Sequence, residues 1–274
     1  MSNPTFWRDD ALPFLEARAI ADGRDICYAK HSHETFSIGA VTGGESIYVN
    51  GRARERVLAG AVVLMNPGDA HACNPLGEQP WSYRMFHVDS RWLADMQGER
   101  GEFQPYQAVA SYAPGLFRRL EALYASCADP AADALEKHGA ALDFFTFMHD
   151  VLQPAPAAKL AGRQLQRAAD YLREHRAGTP TLDDLCAATG LSPSYLIRAF
   201  KARYGMTPHA WLVDCRIQYC REQLRRGVPI ADAALAAGFA DQAHLQRAFK
   251  RHVAATPGQY RNNLANHRRQ VSGS

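Results

Sequence analysis

The 274-residue chain has no run of about 18 apolar residues, so no membrane-crossing helix is expected. Its start, MSNPTFWRDD, holds acids where a secretory leader needs bases, and no apolar stretch follows. Six cysteines (27, 73, 127, 186, 215 and 220) include no C-x-x-C pair, which predicts free thiols in a cytoplasmic setting. A strong overall charge is also lacking, because the formal net charge is only +3. That small value hides a split. Residues 160–274 carry 17 Lys and Arg against 8 Asp and Glu, a net of +9. Residues 1–159 carry 14 against 20, a net of −6. Such asymmetry predicts that only the basic half meets a polyanion, although ordinary solvated surface can give similar totals.

From Ile26 to Val88 short β-rich runs are broken by Gly, Pro and Asn, and the Asn50-Gly51 pair marks a hairpin turn. Gly60 opens an apolar run that closes on Pro67-Gly68, a pattern that resembles a cupin jelly roll. His31-x-His33 and Pro67-Gly68-x-x-His71 resemble parts of the two cupin motifs, without the carboxylate that usually follows the second histidine. Helical spacing then takes over. Leu116, Leu120 and Leu123 form one apolar stripe, and Leu135, Leu142 and Phe145 another; together they exceed what one face against a small barrel needs, so a homodimer through the helices within Ala113–Leu152 is expected. Gln153–Gly162 has two prolines among small residues and reads as a semi-stiff linker at the charge switch.

The basic half contains a repeat. LIRAFKARYGMTPHAW at Leu196–Trp211 returns 49 residues later as LQRAFKRHVAATPGQY at Leu245–Tyr260. A helix, a Gly turn and a fresh N-cap precede each copy, at Gly190-Leu191-Ser192 and Gly238-Phe239-Ala240-Asp241. Seven helices are expected, starting near Arg163, Thr181, Ser192, Thr207, Pro229, Asp241 and Thr256. Leu196, Phe200, Leu245, Phe249, Trp211 and Tyr260 are read as core. Ala254 stands where the first copy has Gly205, so a left-handed turn there would cost on the order of 1 kcal/mol.

GFADQAHLQRAFKRHVAATPGQYR closely resembles the C-terminal signature of AraC/XylS transcription regulators, and the acidic half resembles that family's cupin-type effector domain more loosely. The resemblance implies a two-domain α+β chain. Residues 1–152 would form a jelly-roll domain with following helices for effector binding and dimerisation. Residues 153–162 would be the linker, and residues 163–274 an all-α domain with two helix-turn-helix units. It further implies that Ser194, Ile197, Arg198 and Lys201, then Gln242, His244, Gln246, Arg247, Lys250 and Arg251, face double-stranded DNA. Arg suits guanine, Gln suits adenine and Ile a thymine methyl, whereas Lys201, Lys250 and Arg251 suit phosphates. The helix from Thr207 to Arg225 would hold the two heads about 34 Å apart, one DNA turn.

The expected effector pocket draws on His31, His33, Tyr48, His71, Tyr83 and His87, with Arg84 considered for an acidic ligand. His31 and His33 would share a strand face, as would His71 and Cys73, and these four are the donors considered for a metal such as zinc. Lacking a well-placed carboxylate, the set is read as a pocket for a small organic molecule, with no cofactor and no catalytic residue. The expectation is therefore a homodimeric, ligand-responsive transcription activator that would also meet RNA polymerase. A metal-dependent cupin enzyme or metal sensor with an accessory helical domain is the alternative, and a constitutive DNA-binding activator is a further one.

Overall fold

Period-two alternation of buried side chains marks Glu45–Asn50 of the smaller sheet, whereas runs buried on both faces, such as Val62–Met65, build the larger one. The strands are β1 (Thr5–Arg8), β2 (Leu15–Ile20), β3 (Phe36–Gly43), β4 (Glu45–Asn50), β5 (Ala53–Leu58), β6 (Val62–Met65), β7 (His71–Pro75), β8 (Ser82–Val88) and β9 (Ala110–Ser111). The larger sheet runs β1-β2-β8-β3-β6-β9 and the smaller β5-β4-β7, with antiparallel pairing throughout. The hairpin at Asn50-Gly51 forms as expected, with Asn50 opposite Ala53 and Gly51 at φ 56°. The computed structural model describes residues 4–77, 79–98, 103–154 and 163–261. Most of the expected linker, residues 155–162, lies outside the described residues.

The large sheet is apolar on both faces. One face carries Ala17, Ile38, Phe86 and Val88 against helices α2 (Pro114–Ala128) and α3 (Ala134–Leu152). The other carries Ile20, Val41, Val63, Met65 and Tyr83 toward Tyr48 and Val57 of the small sheet. Helix α1 (Ser90–Met96) covers one end, with the Asp89 side chain capping its first turn. The dimer expectation needs revision here. Leu116, Leu120, Leu123 and Phe145 all lie in the domain's own core, each worth about 1.5–3 kcal/mol of burial. Only Leu135 (81% exposed) and Leu142 (45% exposed) of that set face outward.

The basic half comprises α4 (Arg163–Glu174), α5 (Leu182–Thr189), α6 (Pro193–Tyr204), α7 (Pro208–Arg225), α8 (Ile230–Ala236) and α9 (Gln242–Val253), and Pro257–Arg261 is again helical. Thr181 and Asp184 form a capping box, and Asp241 accepts from the His244 N–H at 2.6 Å. Ser192 sits at the N-cap of α6 but makes no side-chain cap bond, and Pro193 at the first position has no N–H to satisfy. Helix α7 packs against α4, α6, α8 and α9. One of its faces joins Leu196, Phe200 and Leu185 through Trp211 and Cys215. Another joins Leu245, Phe249 and Tyr260 through Ile217, Cys220 and Leu224. Each helix-turn-helix unit therefore has its own small core, and one rod carries both.

The turn after α9 keeps its left-handed conformation without glycine, since Ala254 lies at φ 53° and ψ 23°. Gly238 is the less replaceable position. It sits at φ 88°, and a Cβ there would lie 2.6 Å and 2.8 Å from the carbonyl oxygens of Arg176 and Ala177. We expect Gly238→Ala to cost about 2–3 kcal/mol in urea unfolding, from the backbone strain together with the clash.

Candidate functional site

Helices α6 and α9 occupy the second position of their units and turn the same kind of face to solvent. Ser194, Ile197, Arg198 and Lys201 on α6 are exposed, as are Gln242, His244, Gln246, Arg247, Lys250 and Arg251 on α9. Neither helix has an acid in its first turn; the positive dipole end of α6 has no carboxylate on it, whereas that of α9 is capped by Asp241. Sequence reasoning missed Tyr195, half exposed beside Arg198 with the guanidinium 6.0 Å from its ring. The His244 ring packs edge-on against Phe239 at 5.2 Å, which holds it close to its own unit.

Between the sheets lies a cavity lined by Arg18, Tyr28, His31, His33, His71, Trp81, Tyr83 and His87 among others. The room for the centre of a water molecule is about 40 Å³, enough for roughly three waters. Tyr48 does not line it. Its ring is fully buried between the sheets and its hydroxyl donates to the Leu64 carbonyl at 2.6 Å. Arg84 does not serve the cavity either, because it pairs with Glu121 on α2 at 2.5 Å. The cavity's arginine is Arg18. In the sequence LEARAI, Glu16 and Arg18 alternate with apolar residues and read as a solvent face, so no signal separated them from surface charge.

His31 and His33 do not share a strand. Both precede β3, and His31 forms an isolated bridge with His71. The rings nevertheless converge. His31 lies 4.5 Å from His71 and 4.9 Å from His33 between centroids, and one nitrogen of each falls within 4.8 Å of the others. The Nδ1–H groups of His31 and His71 donate to the carbonyls of Ala29 and Asp69 at 2.9 Å, leaving each Nε2 a bare lone pair. Burial, with the neighbouring imidazoles, holds His31 and His33 well below the usual range, and burial lowers His71 too. These three neutral imidazoles are the donors that could hold a metal. Cys73 lines the same cavity but stands outside that group. It is hydrogen-bonded to Ser46 Oγ at 3.0 Å, with burial pushing its thiol up to about 11.

Residues 14–142 match the model of an AraC-like ligand binding domain, and residues 185–263 match that of a helix-turn-helix domain. The uncharacterized HTH-type transcriptional regulator YbfI of Bacillus subtilis is 28% identical over 80% of this chain and 81% of its own length. The transcriptional activator NphR of Rhodococcus is 32% identical over 47% of this chain and 42% of its own. A solved ToxT structure from Vibrio cholerae matches 92% of this chain and 98% of its own with a TM-score of 0.60 and 12% identity, so it shares the fold. The chain belongs to the AraC family of transcription regulators. Both of these curated relatives are named as transcription regulators.

In this AraC-family regulator the two domains meet along a polar stripe of α7: Asp214, Gln218, Arg221 and Arg225, spaced four, three and four. Asp214 Oδ2 accepts from Ser32 Oγ at 2.5 Å, and Gln218 Nε2 donates to the Ser32 carbonyl at 2.7 Å. Arg221 Nη1 donates to His33 Nδ1 at 3.3 Å and its Nη2 to Glu16 at 3.3 Å. Arg225 reaches the same carboxylate at 3.4 Å and Arg8 at 2.6 Å. Burial alone would raise Glu16, but Arg8, Arg221, His87 and Arg225 hold it far below the usual carboxylate range. Spacing alone does not separate this stripe from the solvent side of a helix.

Glu16→Gln leaves three guanidiniums without their shared anion. We expect a loss of about 3 kcal/mol in denaturant unfolding, discounted for Arg225, which is partly in water. Because the folded value lies below the unfolded one, this stability is fully present above about pH 5 and fades in strong acid. The gap between wild type and variant should close accordingly.

Proposed function

We propose that this chain is a ligand-responsive activator in which the occupant of the cavity controls how α7 holds the two DNA-reading helices. One observation carries the reading: His33, a wall of the cavity, is hydrogen-bonded to Arg221 on the helix that packs against both recognition helices. An effector that changes the position of His33 acts on α7 with no further relay. Its influence is limited to its difference in affinity between the two interdomain arrangements. ToxT of Vibrio cholerae has been solved with an unsaturated fatty acid bound, which supports ligand control on this fold. The narrow cavity here suits a smaller organic molecule than that, and an effector rather than a metal or cofactor is the reading we adopt.

Base contacts are assigned to Ser194, Ile197, Arg198, Gln242, His244, Gln246 and Arg247, and phosphate contacts to Lys201, Lys250 and Arg251. Arg247→Ala should weaken operator binding by about 1–3 kcal/mol and relax preference at one base position. Lys250→Ala should weaken all sequences alike and flatten the salt dependence. Fluorescence anisotropy against randomised and natural sites over a salt series reads both, and unchanged binding by Arg247→Ala removes the assignment of α9 as a reading head.

A homodimer is part of the same reading, and RNA polymerase is the further partner an activator would meet. Two residues one heptad apart, Leu135 and Leu142, support pairing through the outer face of α3, with Val151 further along. Leu135→Glu with Leu142→Glu should convert a dimer to a monomer in sedimentation at micromolar concentration while leaving the fold's circular dichroism intact. A wild-type monomer under those conditions overturns the dimer.

A further inference from the structure

We propose that the cavity binds a small carboxylate anion, held by Arg18, Trp81 and the Tyr28–Tyr83 pair. The inference rests on the effector reading above and adds the chemical class of the effector.

Arg18 is 7% exposed and lines the cavity. Among the described residues no carboxylate pairs with it. Its Nη2 donates to the Tyr28 hydroxyl at 2.5 Å, its guanidinium lies over the rings of Phe6, Tyr28 and Tyr83, and its Nε has no hydrogen-bond partner. A buried cation without an anion is costly, and an unpaired buried donor calls for an acceptor. Trp81 adds a second such donor, since its ring lines the cavity and its buried Nε1–H is also without a partner. The phenols of Tyr28 and Tyr83 share one hydrogen bond at 2.5 Å, which uses one of their two protons and leaves the other to donate. Burial raises both phenols, so they remain protonated. Away from the bare Nε2 lone pairs of His31 and His71, the unpartnered groups of the wall, Arg18 Nε and Trp81 Nε1, are donors.

The surrounding charge has the same sign. Glu16 is shared by Arg8, Arg221 and Arg225, so that group retains an excess of positive charge beside the unpaired Arg18. The three converging histidines are neutral and bring no carboxylate. A dication placed among them would meet uncompensated guanidinium charge, whereas an anion relieves it. The available room, roughly three waters or about 90 Å³ of liquid, limits the ligand to about two to four carbons. A planar carboxylate matches the fork of a guanidinium.

The test is calorimetric and thermal-shift titration of the full-length protein with sodium acetate, propionate and pyruvate. Acetamide, propionamide and sodium chloride at equal ionic strength are the controls, and zinc chloride is a separate arm. At least one carboxylate should bind and raise the melting temperature while the amides do not. Arg18→Gln should weaken that carboxylate at least tenfold. Trp81→Phe, which keeps the ring and removes the N–H, should weaken it several-fold and serves if Arg18→Gln does not fold. Amides binding as well as carboxylates, unchanged affinity in either folded variant, or stoichiometric zinc uptake with no carboxylate response would overturn the inference. DNA affinity measured on the same samples separates the two readings. A neutral molecule that binds and alters operator affinity leaves the regulator reading standing and removes the anion.

Discussion

The carboxylate of Glu16 has to be ionised for the two halves of the chain to sit as they do. Three arginines from two elements converge on it, Arg8 from β1 and Arg221 and Arg225 from α7. Because α7 also closes the small cores of both helix-turn-helix units, the position of one acid on β2 bears on the placement of the exposed faces of α6 and α9. A buried pair of this kind adds little net stability over an apolar substitute, but it fixes registry, because a shifted interface would strand guanidiniums away from water. Phe6 and Tyr260, packed edge to face at 5.1 Å, supply the apolar complement of the same interface.

The cavity sits beside that charged seam, and its chemistry follows from where it lies. The β2 face that carries Glu16 into the interface carries Arg18, two residues on, into the cavity. β8 pairs His87 opposite Glu16 and Tyr83 opposite Ile20, so the cavity wall and the interface are built from the same two strands. Burial keeps the imidazoles neutral, and the one that touches α7 does so as an acceptor from Arg221. The cavity wall is thereby one hydrogen bond away from the helix that packs against α6 and α9.

Much of the helical half was legible from residues alone. The repeated L-x-R-A-F-K, the caps at Thr181 and Asp241 and the turns at Gly190 and Gly238 each have a local physical cause, and local causes survive folding unchanged. The hairpin at Asn50-Gly51 was legible from turn chemistry, and motif spacing singled out His31, His33 and His71, which line one cavity with Tyr83 and His87. Tyr48, the shared strand for His31 and His33 and the outward part of the stripe Leu116, Leu120, Leu123 and Phe145 were misplaced. Each depended on which face of a strand or helix turned inward, and with apolar residues on both faces of the large sheet the pattern left that open.

The sequence by itself determined that a basic double helix-turn-helix unit follows an acidic β domain, because periodicity, caps and charge segregation are properties of neighbours along the chain. Only the tertiary structure decided which charged residues are interior. Glu16, Arg18, Asp214 and Arg221 look like surface on any one-dimensional reading, since in isolation each prefers water. Their burial is made tolerable by partners up to 209 residues away. The shape of the cavity rests on those long-range pairings, and Arg18 is buried in its wall without a carboxylate partner among the described residues.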